Sequence, residues 1–251
     1  MDHLLSINAI DPPYFVRAGL PTTFVGDSTL ALDFSGADPA RLRAEIGAGE
    51  GEPILLVLPG SRPGEIRRVL PPFEDAVRRL HGERPHLHVV VAAAPTVAAM
   101  VKARVAGWPY RAHVVEGDER KLDAMKAADV ALACSGTVTT ELALAGCPMV
   151  VGYRLGPLTY AVIKPLLKTR YVTLLNIAAG EEVAPERLQG DCNGATLATD
   201  LTTLLDDPRR RRRQAAAQDA ALVRMGRGGP DPAEAAADAL LSFVAARPAS
   251  G

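Results

Sequence analysis

Two short segments hold residues whose types and spacing suit phosphate and sugar chemistry. The first is Pro59-Gly60-Ser61-Arg62-Pro63-Gly64-Glu65-Ile66, directly after the apolar run Ile54–Leu58. Gly60 and Gly64 allow a tight turn from a strand into a helix. Such a turn presents free N–H groups and the positive end of a helix dipole, both suited to a phosphate. Arg62 adds a permanent cation with a two-pronged guanidinium. The loop is neither a Walker motif nor G-x-G-x-x-G, and taken alone these residues favour an ordinary connection with a solvated arginine.

The second segment is Ser135-Gly136-Thr137-Val138-Thr139-Thr140-Glu141, after Asp129–Cys134. Small hydroxylated residues and a glycine at a helix start leave donors open at the carboxyl edge of a sheet, where open α/β sheets take ligands. Glu141 follows Thr137 by one helical turn, placed to accept from ribose hydroxyls. Ser135 or Thr137 as a plain N-cap, with Glu141 complementing the dipole, is the alternative.

Other chemistry-bearing residues are scattered. His3, His81, His86, His88 and His113 show no metal-ligand spacing. Cys134, Cys147 and Cys192 are odd in number and lack C-x-x-C, which suits thiols in a reducing compartment. Arg209–Arg213 follows Asp206-Asp207-Pro208, a helix start with a solvated basic turn. The stretch from Arg154 to Arg170 sets Arg154, Lys164, Lys168 and Arg170 around an apolar centre. It suits an anionic membrane face, or equally a packed helix with basic ends.

The elements that must position these loops are legible as an alternation. Ile54–Leu58, Leu87–Ala92, Ala112–Val115, Asp129–Cys134 and Pro148–Gly152 read as strands buried on both faces. Between them lie helical patterns, one with Phe73, Ala76, Val77 and Leu80 on one face and expected to begin at Pro71-Pro72. Others run from about 95 to 106 and 119 to 128. Alternation at this spacing predicts an α/β fold with a parallel, doubly wound sheet. The 251 residues, 48% hydrophobic and 23% charged, suffice for a sizeable core and exclude wholesale disorder. A net charge of −1 gives no electrostatic case for nucleic acid. No basic segment leads into an apolar run at Met1, so no signal peptide is expected, and no stretch approaches the roughly 20 apolar residues of a spanning helix. Residues 1–32 hold a short apolar run, Leu4–Ile10, and too little else to close a core. Leu4, Leu5, Ile7 and Ile10 are therefore expected to stay partly exposed or lean on the C-terminal helices.

Taken in order, these segments resemble the lipid A disaccharide synthases. The resemblance rests on Leu58-Pro59-Gly60-Ser61-Arg62 with Glu65-Ile66, Cys134-Ser135-Gly136-Thr137 with Glu141-Leu142, and Pro148–Arg154. It continues through Lys168–Val172, Leu175-Asn176-Ile177 and Val183–Gln189, and upstream through Pro12-Pro13-Tyr14-Phe15, Gly19-Leu20-Pro21 and Phe24-Val25-Gly26. Asp27-Ser28 stand where the family has His-Pro, and Leu175 where it has Pro. The resemblance implies the C-terminal, donor-binding half of a glycosyltransferase-B fold. Residues 1–32 then read as the end of an N-terminal acceptor domain, 33–52 as a linker, 53–215 as the UDP-sugar-binding Rossmann-like domain and 216–251 as C-terminal helices.

The implied reaction moves 2,3-diacylglucosamine from its UDP derivative to 2,3-diacylglucosamine 1-phosphate and releases UDP, with no metal or other cofactor. The implied donor-site residues are Gly60, Ser61, Arg62, Glu65, Ser135, Gly136, Thr137, Glu141, Asn176 and Gln189. By the family's layout the general base belongs to the N-terminal half, so the chain alone is expected to bind UDP weakly without turnover. A cytoplasmic location, peripheral to the inner membrane, follows from the same resemblance, and a homodimer is compatible with it. A non-catalytic UDP-binding remnant, or the donor domain of another UDP-N-acetylglucosamine-dependent transferase or epimerase, stand as alternatives. Against an epimerase, the loops carry no cluster of histidines and carboxylates.

Overall fold

The computed structural model describes residues 1–156, 159–160 and 170–245. The chain opens with β1 (Leu4–Ser6), α1 (Pro12–Arg17) and β2 (Thr22–Phe24), the two strands pairing in parallel. A 3-10 turn, Ser28–Ala31, and α2 (Pro39–Ile46) lead into a second, larger sheet. Its strands are β3 (Ile54–Leu58), β4 (His88–Ala93), β5 (Ala112–Glu116), β6 (Val130–Cys134), β7 (Met149–Tyr153) and β8 (Glu186–Leu188). They lie in the order β5-β4-β3-β6-β7-β8, and every neighbouring pair is parallel. The expected doubly wound sheet is the one observed.

Successive connections cover first one face of the sheet and then the other. One face packs Leu55, Val57, Val89, Val91, Val130 and Leu132 against α3 (Pro63–Glu83) and α4 (Ala98–Val105). The other packs Leu56, Leu58, Ala131, Ala133 and Met149 against α2, α5 (Asp118–Ala127) and α6 (Val138–Leu144). Continuous apolar runs such as Ile54–Leu58 are thereby explained, since period-two alternation would place polar residues against a helix layer. Beyond β7 come α7 (Leu174–Ala179), then β8, α8 (Gly194–Asp206), α9 (Pro208–Arg224) and α10 (Pro232–Ala245). α8 joins the first layer through Leu197 and Leu201, and α9 joins the second through Ala221 and Leu222. As α9 buries one face from Gln214 to Leu222, it runs as one helix through the boundary expected at 215.

The helix expected to start at Pro71-Pro72 starts at Pro63 and runs through both prolines. Each interior proline removes one backbone donor and typically costs about 3 kcal/mol. The helix survives because it buries Ile66, Val69, Leu70, Phe73, Ala76, Val77 and Leu80 against the sheet, and fully burying such a side chain contributes about 1.5–3 kcal/mol. Residues 1–32 lean on the C-terminal helices. Gly26 packs against Pro232, and the His3 ring lies 5.6 Å from that of Phe243. Ile7, Ile10, Tyr14, Phe15 and Val16 remain exposed. The basic-flanked stretch 154–170 lies, for residues 157–158 and 161–169, outside the described residues.

Gly152 sets how closely α3 approaches β7. A Cβ there would stand 2.5 Å from Phe73 Cε1 and 3.1 Å from Cys192 Sγ. Gly152→Ala is therefore expected to cost about 1–3 kcal/mol, as overpacking does. Urea denaturation should show a lower midpoint with an unchanged slope.

Candidate functional site

Between β3 and β6 the chain's crossovers part to opposite sides of the sheet, which opens a crevice at the carboxyl edge. A cavity of about 470 Å³ fills that crevice. Gly60, Ser61, Arg62 and Glu65 line it after β3, and Ser135, Gly136, Thr137 and Glu141 after β6. The two loops read from sequence thus face one space. Ala94, Pro95, Gly117, Asp118 and Lys121 close it from the ends of β4 and β5.

The first loop differs from expectation in its donors. Gly60 takes φ +110°, and a Cβ there would meet Glu65 Oε2 at 2.7 Å. Glu65 turns back into the loop, where Oε2 accepts from the N–H of Ser61 at 3.1 Å and of Arg62 at 3.2 Å. Those amides were expected to be free for phosphate. They are instead satisfied by an internal carboxylate at the helix start, the ordinary solution for unpaired first-turn donors. Thr96 Oγ1 donates to the Ser61 carbonyl at 2.7 Å and braces the loop from beyond β4. The Arg62 side chain is 80% exposed and makes a single 3.2 Å ion pair with Glu65, so its fork is available.

The second loop keeps its donors. Thr137 occupies the N-cap position of α6 without a side-chain cap hydrogen bond. The N–H groups of Gly136, Thr137 and Val138 have no acceptor among the described residues. Thr139 Oγ1 donates to the Gly136 carbonyl at 2.8 Å and holds the turn. The plain N-cap reading therefore fails here, because no hydroxyl occupies the amides. Glu141 is only 14% exposed, and Lys121 Nζ stands 2.9 Å from its Oε2. Burial disfavours the Lys121 ammonium, yet Glu141 and Asp118 outweigh it and hold its pKa above the usual lysine value. Lys121 was not found from sequence, because its partner sits twenty residues on, across β6.

Asn176 and Gln189 do not join the cavity. Asn176 is 0% exposed; Nδ2 donates to the Ala184 carbonyl and to Glu186 Oε1, and Oδ1 accepts from the N–H of Val183 and Ala184. Its hydrogen-bonding capacity is spent on the turn into β8. Gln189 has φ +51°, donates its N–H to the Tyr153 carbonyl at 2.9 Å and accepts from Arg154 Nε at 3.2 Å, which ties β8 to β7. Four of the chain's five histidines, His81, His86, His88 and His113, line a separate cavity with Glu52 and Arg111 near the amino ends of β4 and β5. Among the described residues no group of three His, Cys, Asp or Glu is arranged to hold a metal ion.

Cys134 closes the cavity floor, and burial pushes its thiol up to about 12. Burial likewise pushes Cys192 up to about 11 and raises Cys147 further. At pH 8 all three stay protonated, and only the thiolate is nucleophilic. Iodoacetamide at pH 8 is expected to leave the folded chain unmodified by mass spectrometry and to add three groups in denaturant. Rapid labelling of folded protein would contradict that environment.

A family model described as lipid-A-disaccharide synthetase matches residues 1–235. The lipid-A-disaccharide synthase of Rhodospirillum centenum is 38% identical over 98% of this chain and 62% of its own length. That of Ruegeria pomeroyi is 41% identical over 96% of this chain and 61% of its own. The chain thus spans less than two thirds of the length of these curated relatives. Among solved structures, UDP-GlcNAc 2-epimerase from Neisseria meningitidis bound to UDP-GlcNAc has a TM-score of 0.64 at 14% identity, covering 95% of this chain and 61% of that one. Sucrose-phosphate synthase from Thermosynechococcus elongatus has a TM-score of 0.63 at 15% identity, covering 97% and 59%. At such identities the likeness is one of fold.

Proposed function

The chain belongs to the lipid-A-disaccharide synthetase family, and on that premise we propose that its cavity holds the UDP moiety of an acylated UDP-sugar. The reaction served is hexosyl transfer in lipid A biosynthesis. 2,3-Diacylglucosamine passes from its UDP derivative to 2,3-diacylglucosamine 1-phosphate, and UDP leaves. Residues 53–215 are the core of the donor-binding unit in this reading, with 1–32 belonging to the acceptor side. The observation that carries it is the convergence, on one crevice, of free α6 amides, an exposed Arg62 fork and the half-buried carboxylate of Glu141.

The chemistry follows from charge. As the glycosidic C–O bond breaks, negative charge grows on the diphosphate of the leaving UDP. Fixed N–H groups at Gly136–Val138 and the guanidinium of Arg62 face that charge and stabilise it more in the transition state than before it. Glu141 accepts from the ribose hydroxyls. Ser61 and Glu65 act one step back in this reading, holding the turn from which Arg62 projects. Asn176 is assigned the same kind of supporting role, in the turn before β8. Both sugars carry acyl chains, which supports a peripheral position at the cytoplasmic membrane face. Among the described residues no helix is long and apolar enough to cross a membrane.

Calorimetric titration with UDP tests the assignment. A charge-assisted bond from an arginine fork to phosphate contributes about 1.5–3 kcal/mol, and about 1.4 kcal/mol is a decade in affinity. Arg62→Ala is expected to weaken UDP binding by about ten-fold or more while the melting temperature hardly moves. Equal affinities would make Arg62 a solvated loop residue and remove the diphosphate from this cavity.

A further inference from the structure

The Lys121–Glu141 pair joins two elements that flank β6. Lys121 is the fourth residue of α5 and Glu141 the fourth of α6, and both line the cavity. Their side chains are 27% and 14% exposed, so the pair is largely shielded from water. Asp118, 3.3 Å from the same ammonium, is 95% exposed and contributes little order. A carboxylate this far removed from water is costly to keep charged unless a cation compensates it, and that cation also selects its orientation.

We infer that Lys121 is a positioning residue for nucleoside recognition, holding one oxygen of the Glu141 carboxylate so that the other is set to accept from a vicinal diol. This rests on the nucleotide reading of the cavity given above. Discrimination of ribose from deoxyribose then depends on a lysine that need not touch the ligand. Two other roles for the same contact are distinguishable from it. A lysine that reaches the diphosphate would act on phosphate and ignore the sugar. A lysine that merely clamps α5 to α6 would act on stability and ignore the ligand.

The experiment compares UDP, 2′,3′-dideoxy-UDP and uridine against wild type, Lys121→Met and Lys121→Arg. Lys121→Met is expected to weaken UDP and uridine by about ten-fold, the scale of one charge-assisted hydrogen bond. It should weaken dideoxy-UDP by less than about two-fold, and Lys121→Arg should restore most of the loss. Equal weakening of UDP and dideoxy-UDP with uridine spared would overturn the inference in favour of a phosphate contact. A lowered melting temperature with unchanged affinities would overturn it in favour of a clamp. Should Lys121→Met fail to fold, Lys121→Gln carries the same comparison. Failure of wild type to bind UDP sinks the nucleotide reading itself. Binding by wild type with no ligand-dependent effect of Lys121 sinks this inference alone.

Discussion

A parallel sheet buried on both faces cannot bind anything along its strands, because its ladders and side chains are already occupied. Only the strand ends are free. β3 and β6 are neighbours in space but leave toward opposite layers, so their outgoing loops cannot fill the gap between them. Every feature of the candidate site descends from that topological constraint. It places Gly60–Glu65 and Ser135–Glu141 on facing walls. It also sets α5 beside α6, so that Lys121 reaches Glu141.

The two walls are built from similar residues but solve the helix-start problem differently. In the first, Glu65 folds back and satisfies the amides of Ser61 and Arg62, which makes the turn rigid and leaves only the arginine fork for a ligand. In the second, Thr137 offers no side-chain cap and the amides stay open. A glycine is required in the first loop for a specific reason: the carboxylate of Glu65 occupies the space a Cβ would need. Phe73 against Gly152 extends the same logic into the core, fixing α3 and with it the position of Glu65 and Arg62.

Legibility in the sequence followed burial. Ile54–Leu58 has the bounds its apolar run predicted, since five consecutive apolar residues between Pro53 and Pro59 leave no other register. β8 was not legible: it has three residues, Glu186–Leu188, all half-buried at the sheet edge, and no hydrophobic pattern can show at that length. The loops were legible by residue type but not by who bonds whom. Glu65 reads as a site acid yet serves the backbone, and Asn176, singled out through the family resemblance, holds a turn in this chain. Lys121 lay outside every motif, for its role depends on an ion pair between two separate helices.

Charge matching inside the cavity decides which groups a ligand can recruit. Each lining cation is already paired, Arg62 with Glu65 and Lys121 with Glu141. An incoming diphosphate must compete with those carboxylates. Arg62 gives up one ion pair from a side chain in contact with water, where such a pair contributes about 0–1 kcal/mol. Lys121 would have to abandon a carboxylate that is more shielded from solvent than Glu65's partner Arg62, a larger loss than giving up an exposed pair. If a diphosphate binds as proposed, the exchange falls to Arg62 and the open amides of α6, while the Lys121–Glu141 pair stays intact. On the proposed reading Arg62 exchanges partners on one wall, while on the other the open α6 amides and the Lys121–Glu141 pair stay in place.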